Sequence, residues 1–237
     1  MDDDAKRDWS QATLLTAEAV APARCCGLDE VGRGALAGPL VAAAVILPED
    51  IRERLGALAP FLRDSKTTPR GKREAVAVAL REHALAIAIA VAPVSVIDTR
   101  GIGWANRDVF RRLIVEVEAD EYVVDGKVKP PAPADRLGRV RCMVKADSHT
   151  PAVSAASIIA KVYRDDLMAR LAQECAGYGW ERNAGYGSPE HLAALRAIGP
   201  TAHHRALFVA TALGGGQRAK RAGAGATNPP DDAQRLL

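Results

Sequence analysis

The 237-residue chain has no apolar run approaching the roughly 18 residues that a bilayer-spanning helix needs. Its opening segment, "MDDDAKRDWSQATLLTAEAVAPA", starts acidic and has its apolar stretch broken by Glu18, a poor match to a secretion signal. Cysteine is scarce. Cys25, Cys26, Cys142 and Cys175 include no CxxC pair, so no disulfide framework is expected, and they read as reduced core residues of a cytoplasmic protein. No zinc-ligand spacing occurs among His149, His191, His203 and His204, which read as ordinary surface or core residues. Charge of one sign is not in great excess either. A net charge of +3 permits a polyanionic partner without demanding one.

What is present is an ordinary globular composition, 48% hydrophobic and 26% charged, enough for a sizeable core. No repeat or linker interrupts it, so we expect one domain over residues 22–213, preceded by a leader (1–21) of uncertain order. The stretch from 214 to 237 is rich in Gly, Ala and Pro without apolar periodicity and is expected to be a disordered tail. Apolar runs predict buried strands over 23–30 and 40–47, and alternation predicts a strand over 84–93. Short strands are expected at 121–125 and 140–147, ending on Asp125 and Asp147. Helices are predicted over 69–83, 106–119 and 188–199, with a long amphipathic helix over 154–174; Ser188 and Pro189 form an N-cap signature. Strands early and helices late, with a strand–helix–strand crossover, suggest an α/β mixed sheet.

The stretch "CCGLDEVGRGALAGPLVAAAVIL" (25–47) sets Asp29 and Glu30 inside an apolar run, followed at once by Gly32, Arg33 and Gly34. Burying an unpaired carboxylate costs several kcal/mol, so such a pair needs cations or donors nearby. Asp125 and Asp147 lie at the ends of other predicted strands, and an α/β sheet collects functional groups at its strands' carboxyl ends. Four crowded carboxylates cannot all stay ionised unaided, and two divalent cations would offset their charge. Hard oxygen donors without His or Cys favour Mg²⁺. The other face of the predicted long helix carries Ser157, Lys161 and Arg164 at spacings that align them, the last two readable as surface charges.

The order of motifs resembles the type 2 ribonucleases H (ribonuclease HII). The likeness runs from "GLDEVGRGALAGPLVAAAVIL" through "LRDSK" (62–66), "VVDG" (123–126) and "VKADSHTPAVSAASIIAKVYRD" (144–165) to "AGYGSPEH" (184–191), spanning about residues 23–209. Ala146 stands where the family usually has glycine, and "KVKPPAPADRLGR" is longer than the corresponding family segment. The resemblance implies a ribonuclease H-like mixed β-sheet with helices on both faces and a C-terminal helical part. It implies an endonuclease using Mg²⁺ or Mn²⁺, two ions during catalysis, held by Asp29, Glu30, Asp125 and Asp147. Asp29 and Asp125 would be shared between the ions. The implied substrates are RNA–DNA hybrids and duplex DNA containing single ribonucleotides, cut 5′ to the ribonucleotide, by a cytoplasmic monomer without membrane contact. Gly32, Arg33 and Gly34 would read a 2′-hydroxyl, Tyr186 would pack on the adjoining sugar or base, and Lys66 would contact a backbone phosphate. His149, two residues from Asp147, would be placed to assist product release. A junction-selective DNA nuclease of the same fold and a non-catalytic nucleic-acid-binding module are the competing readings.

Overall fold

The computed structural model describes residues 24–63 and 68–214. The expected leader, and all of the expected tail except Gly214, lie outside the described residues. The strands are β1 (Cys25–Val31), β2 (Leu40–Ile46), β3 (Ala86–Ala92), β4 (Glu121–Asp125) and β5 (Val140–Met143). The helices are α1 (Ile51–Leu55), α2 (Arg70–His83), α3 (Val94–Arg100), α4 (Ile102–Glu116), α5 (Ala134–Leu137), α6 (Pro151–Glu174), α7 (Trp180–Asn183), α8 (Pro189–Ile198) and α9 (Ala206–Ala212). Single 3₁₀ stretches occupy Gly56–Phe61 and Ala146–Ser148.

The five strands form one mixed sheet in the order β3-β2-β1-β4-β5. β2 pairs antiparallel with both β1 and β3, whereas β1–β4 and β4–β5 are parallel. β2 is buried along its whole length, which is why it reads as an unbroken apolar run. Its residues Leu40, Ala42, Ala44 and Ile46 meet α4 through Val109, Phe110, Leu113 and Ile114. Val41, Ala43 and Val45 face α1, α2 and α6 on the opposite side. The sheet is thus covered on both faces, as the resemblance implied. A third cluster, built from Leu36, Ala37, Met168, Trp180, Leu195 and Val209, packs the C-terminal helices against the β1–β2 connection.

Some expectations are corrected. The predicted strand over 140–147 stops at Met143, and Asp147 sits in the following 3₁₀ turn, because Lys145 adopts a left-handed conformation (φ 59°) that breaks the extended path. The long helix begins at Pro151, three residues before the predicted start, and it is not amphipathic in its first half: residues 152–160 are buried on every side. Small side chains permit this. A Cβ at Gly27 of β1 would lie 2.1 Å from the Ala152 carbonyl carbon, so glycine lets α6 lie directly on the central strand. α4 starts and ends earlier than the predicted helix over 106–119, and the short helices α1, α3, α5, α7 and α9 were not anticipated.

Candidate active site

Parallel pairing of β1 with β4 decides where the acids meet. Leu28 is in register with Val124, so Asp29 and Asp125 are the next residues along on neighbouring strands, at their carboxyl ends. Alternation turns both toward α6, opposite Leu28 and Val124, which lie in the α4-facing core. Glu30 emerges on the α4 side, where Asn106 and Arg33 face it; the Arg33 guanidinium is 3.8 Å from its carboxylate.

Burial pushes the Asp29 carboxyl up to about 7; Glu30 and Asp125 add to the rise, and a hydrogen bond from Ser157 opposes it. Its Oδ1 also accepts the Glu30 N–H at 2.7 Å. Glu30 is pushed upward as well, by burial first and then by Asp125, against the pull of Arg33 and Asn106. Asp125 accepts the Ala146 N–H at 2.9 Å, which ties the end of β4 to the turn carrying Asp147. Ala146, where glycine was expected, is fully buried in this position without displacing that bond. The Asp147 carbonyl in turn accepts the Ser154 hydroxyl, fixing the turn to the start of α6.

Glu30 and Asp125 line a cleft of about 440 Å³ together with Arg33, Asn106, Arg107, Lys127 and Lys145, while Asp29 and Asp147 are not among its lining residues. Among the described residues, no group of three or more acidic, His or Cys side chains converges closely enough to hold an ion as it stands. The donor chemistry does fit a divalent cation. Asp29, Glu30 and Asp125 repel one another in a partly dehydrated site, and a bound cation would relieve that repulsion.

The β1–β2 connection rises beside the cleft. Gly32 has φ 89°, and a Cβ there would strike the Arg164 guanidinium at 2.1 Å, so this glycine serves the protein's own packing. Gly34 differs: a Cβ there would meet nothing within 4 Å. The N–H groups of Arg33 and Gly34 find no acceptor among the described residues. Tyr186 lies in a loop, 37% exposed, and its hydroxyl accepts the Gly32 N–H at 3.1 Å.

Arg164 is not a surface charge. It is fully buried and donates to the carbonyls of Pro39 (2.9 Å), Ala184 (2.8 Å) and Ala37 (3.0 Å), joining the β1–β2 connection to the Tyr186 loop. Of its expected helix-face companions, Ser157 bonds Asp29, and Lys161 pairs with Asp165 at 2.6 Å. Arg205, also fully buried, donates to Gly38 and Arg33 carbonyls at 3.0 Å each; its pKa falls to about 10 through burial and the nearby Arg164 charge. Sequence reasoning missed Arg205, and its Arg164 reading failed because spacing on a helix says nothing about what packs over that face. It also missed Asn106, Arg107, Lys127 and Lys145, which carry no local signal beyond polarity. Lys66 lies outside the described residues, and His149 is exposed beside the Asp147 turn.

Comparison with known proteins agrees with this architecture. The family model described as Ribonuclease HII matches residues 26–211. Ribonuclease HII of Thermosynechococcus vestitus is 44% identical over 191 residues, covering 80% of this chain and 86% of that protein. Ribonuclease HII of Rhodospirillum rubrum is 43% identical over 197 residues, covering 82% and 88%. Among solved structures, Archaeoglobus fulgidus RNase HII, determined in complex with PCNA, superposes with a TM-score of 0.64 at 27% identity, covering 77% of this chain and 94% of that one. Ribonuclease H2 from Pyrococcus horikoshii gives a TM-score of 0.63 at 25% identity, covering 84% and 99%. With a family model matched over residues 26–211 and relatives above 40% identity over most of both chains, this chain belongs to the ribonuclease HII family.

Proposed function

We propose that the cleft at the carboxyl ends of β1 and β4 hydrolyses the RNA strand of RNA–DNA hybrids and cuts duplex DNA 5′ to a single embedded ribonucleotide, leaving a 3′-hydroxyl and a 5′-phosphate. The observation that carries this reading is the β1–β4 register, which sets Asp29 beside Asp125 at the foot of the turn holding Gly32, Arg33 and Gly34. Asp29, Glu30, Asp125 and Asp147 would hold two divalent cations, Mg²⁺ or Mn²⁺. Such ions, when bound, would lower the pKa of a water and offset charge on the leaving oxygen.

The chain's own groups bind and orient. Arg33, Arg107, Lys127 and Lys145 line the same cleft and neutralise phosphates along the duplex. Lys66 contacts a further phosphate. The open space over Gly34, with the Arg33 and Gly34 N–H groups beside it that bond nothing else described, suits close approach of a ribose 2′-hydroxyl. Tyr186, anchored through its hydroxyl to Gly32, presents its ring to the adjoining sugar. A site built to hydrogen-bond a hydroxyl rejects the analogue lacking it by roughly 10⁴ or more, which disfavours an all-DNA substrate. We assign the activity to a single catalytic unit over residues 22–213 of a cytoplasmic monomer; no described helix is long and apolar enough to cross a membrane.

The test is cleavage of a duplex carrying one embedded ribonucleotide, with Mg²⁺ and then with chelator, beside an all-DNA control. Metal-dependent cutting of the first substrate alone is expected. Equal cutting of the all-DNA duplex would overturn the substrate assignment, and binding without any cutting would return the chain to a binding module.

A further inference from the structure

Behind Tyr186 lies a pair of histidines that the hydrolytic site does not use. His191, on the first turn of α8, is fully buried, and His204 is 4% exposed. Their Nε2 atoms are 3.1 Å apart. The Trp180 indole Nε1 also lies 3.1 Å from His191 Nε2, and an indole N–H can only donate, so that nitrogen is an acceptor. The His191 proton therefore sits on Nδ1, 2.9 Å from the Tyr186 carbonyl oxygen, which receives it. On the far side, His204 Nδ1 accepts the Thr201 N–H at 2.8 Å, so its proton sits on Nε2 and points at His191. Both imidazoles are neutral and locked in opposite tautomers, and the donors run from Thr201 through His204 and His191 to one carbonyl.

The same segment grips the other half of the reader. Gly38 donates its N–H to the His203 carbonyl at 2.8 Å, Arg205 N–H bonds the Leu36 carbonyl at 2.8 Å, and Arg205 Nη1 bonds the Arg33 carbonyl at 3.0 Å. Leu36 and Ala37 give their N–H groups to the Gly185 carbonyl, and Gly32 gives its own to the Tyr186 hydroxyl. The hydrogen bonds thus close a ring through the β1–β2 connection, the Tyr186 loop and the 201–205 segment. Within it, Ala184 (φ 48°) and Gly185 (φ 78°) make a left-handed bend that presents Tyr186. An alanine holds that conformation only where its surroundings over-determine it.

We propose that His191 is a positioning residue for the ribose-reading junction, with His204 serving only to hold the His191 tautomer, so that the Tyr186 main chain is fixed and its ring stays registered with the Gly32–Gly34 turn. This rests on the reading that the turn and Tyr186 contact the ribonucleotide. Burial holds the His191 pKa low and drops that of His204 to about 4, so both stay neutral at working pH and the polarity of the relay is kept.

Two substitutions of similar volume separate the two ends of the relay. His191→Asn keeps an amide donor near Nδ1, facing Tyr186, and loses the tie to His204. His191→Gln places its amide near Nε2, keeps that tie and loses the bond to Tyr186. The readout is the ratio of kcat/KM on a single-ribonucleotide duplex to that on a continuous RNA–DNA hybrid, measured in wild-type and Tyr186→Ala backgrounds. We expect Asn to leave the ratio near wild type and Gln to lower it about ten-fold, the scale of one buried hydrogen bond. The Gln effect should vanish when Tyr186 is Ala. The reverse order, equal losses on both substrates, or a Gln effect that persists in the Tyr186→Ala background would overturn the positioning role. If Tyr186→Ala alone leaves the ratio unchanged, the reading of the junction fails first, independently of the histidines. His204→Gln, which keeps a donor toward His191, provides a second arm. It should preserve the ratio, and its collapse with unchanged thermal stability would also overturn the proposal.

Discussion

At Asp29, burial and two neighbouring carboxylates act in one direction, and the consequence is measurable without substrate. Its carboxyl titrates near 7 in the fold against an ordinary 3.8. Between those values the folded protein keeps a proton that the unfolded chain has released, so the associated stability is full below the ordinary value and is lost as pH rises through about 7. We expect Asp29→Asn to stabilise the metal-free protein in mildly alkaline solution, by at most a few kcal/mol, and to leave stability unchanged in acid. Thermal melts across pH test this; a variant melting below wild type in alkaline solution would show that the repulsion is already compensated. Asp125→Asn should abolish hydrolysis while retaining hybrid binding, because shape is kept and one donor charge is lost. Wild-type turnover by this variant at saturating Mg²⁺ would remove Asp125 from the site.

At the scale of the turn, two glycines two residues apart have different reasons to be glycine. Gly32→Ala collides with Arg164 and strains a positive φ, so a loss of about 1–3 kcal/mol in denaturant unfolding is expected. Gly34→Ala meets no protein atom. Its stability should stay within about 0.5 kcal/mol of wild type while cleavage of the single-ribonucleotide duplex falls. If both activity and stability are untouched, nothing approaches that turn closely. The turn leading to Asp147 offers a parallel case. Lys145 holds a left-handed backbone, 59° in φ, that costs a non-glycine residue roughly 1 kcal/mol or more. Lys145→Gly should therefore raise thermal stability yet weaken hybrid binding and shallow its salt dependence by about one phosphate contact. Stability and affinity moving together would contradict the cleft's role in holding phosphate.

For the molecule as a whole, the buried histidines contribute a loss of stability in acid. With His204 held near 4, the unfolded chain takes up a proton that the fold resists. Stability should be full above about 6.5 and decline as pH falls toward 4, most clearly with Mg²⁺ present to remove the opposing Asp29 trend. A flatter decline in His204→Gln checks the assignment. The features legible in the sequence are those whose chemistry is satisfied within a few residues. The Asp29–Glu30 pair breaking an apolar run, the turn that follows it, the Ser188 cap that accepts the His191 N–H, and the buried period of β2 all belong to this class. Their ordered motifs carried the family as well, and with it the mixed sheet. The resemblance implied that Asp29 adjoins Asp125, but only the tertiary structure shows how, through a parallel register between strands about a hundred residues apart. The same holds for the two buried arginines and the histidine relay. Arginine and histidine are read as exposed or neutral by default, and only a fold that brings unpaired carbonyls from three segments to one place gives their donors somewhere to go.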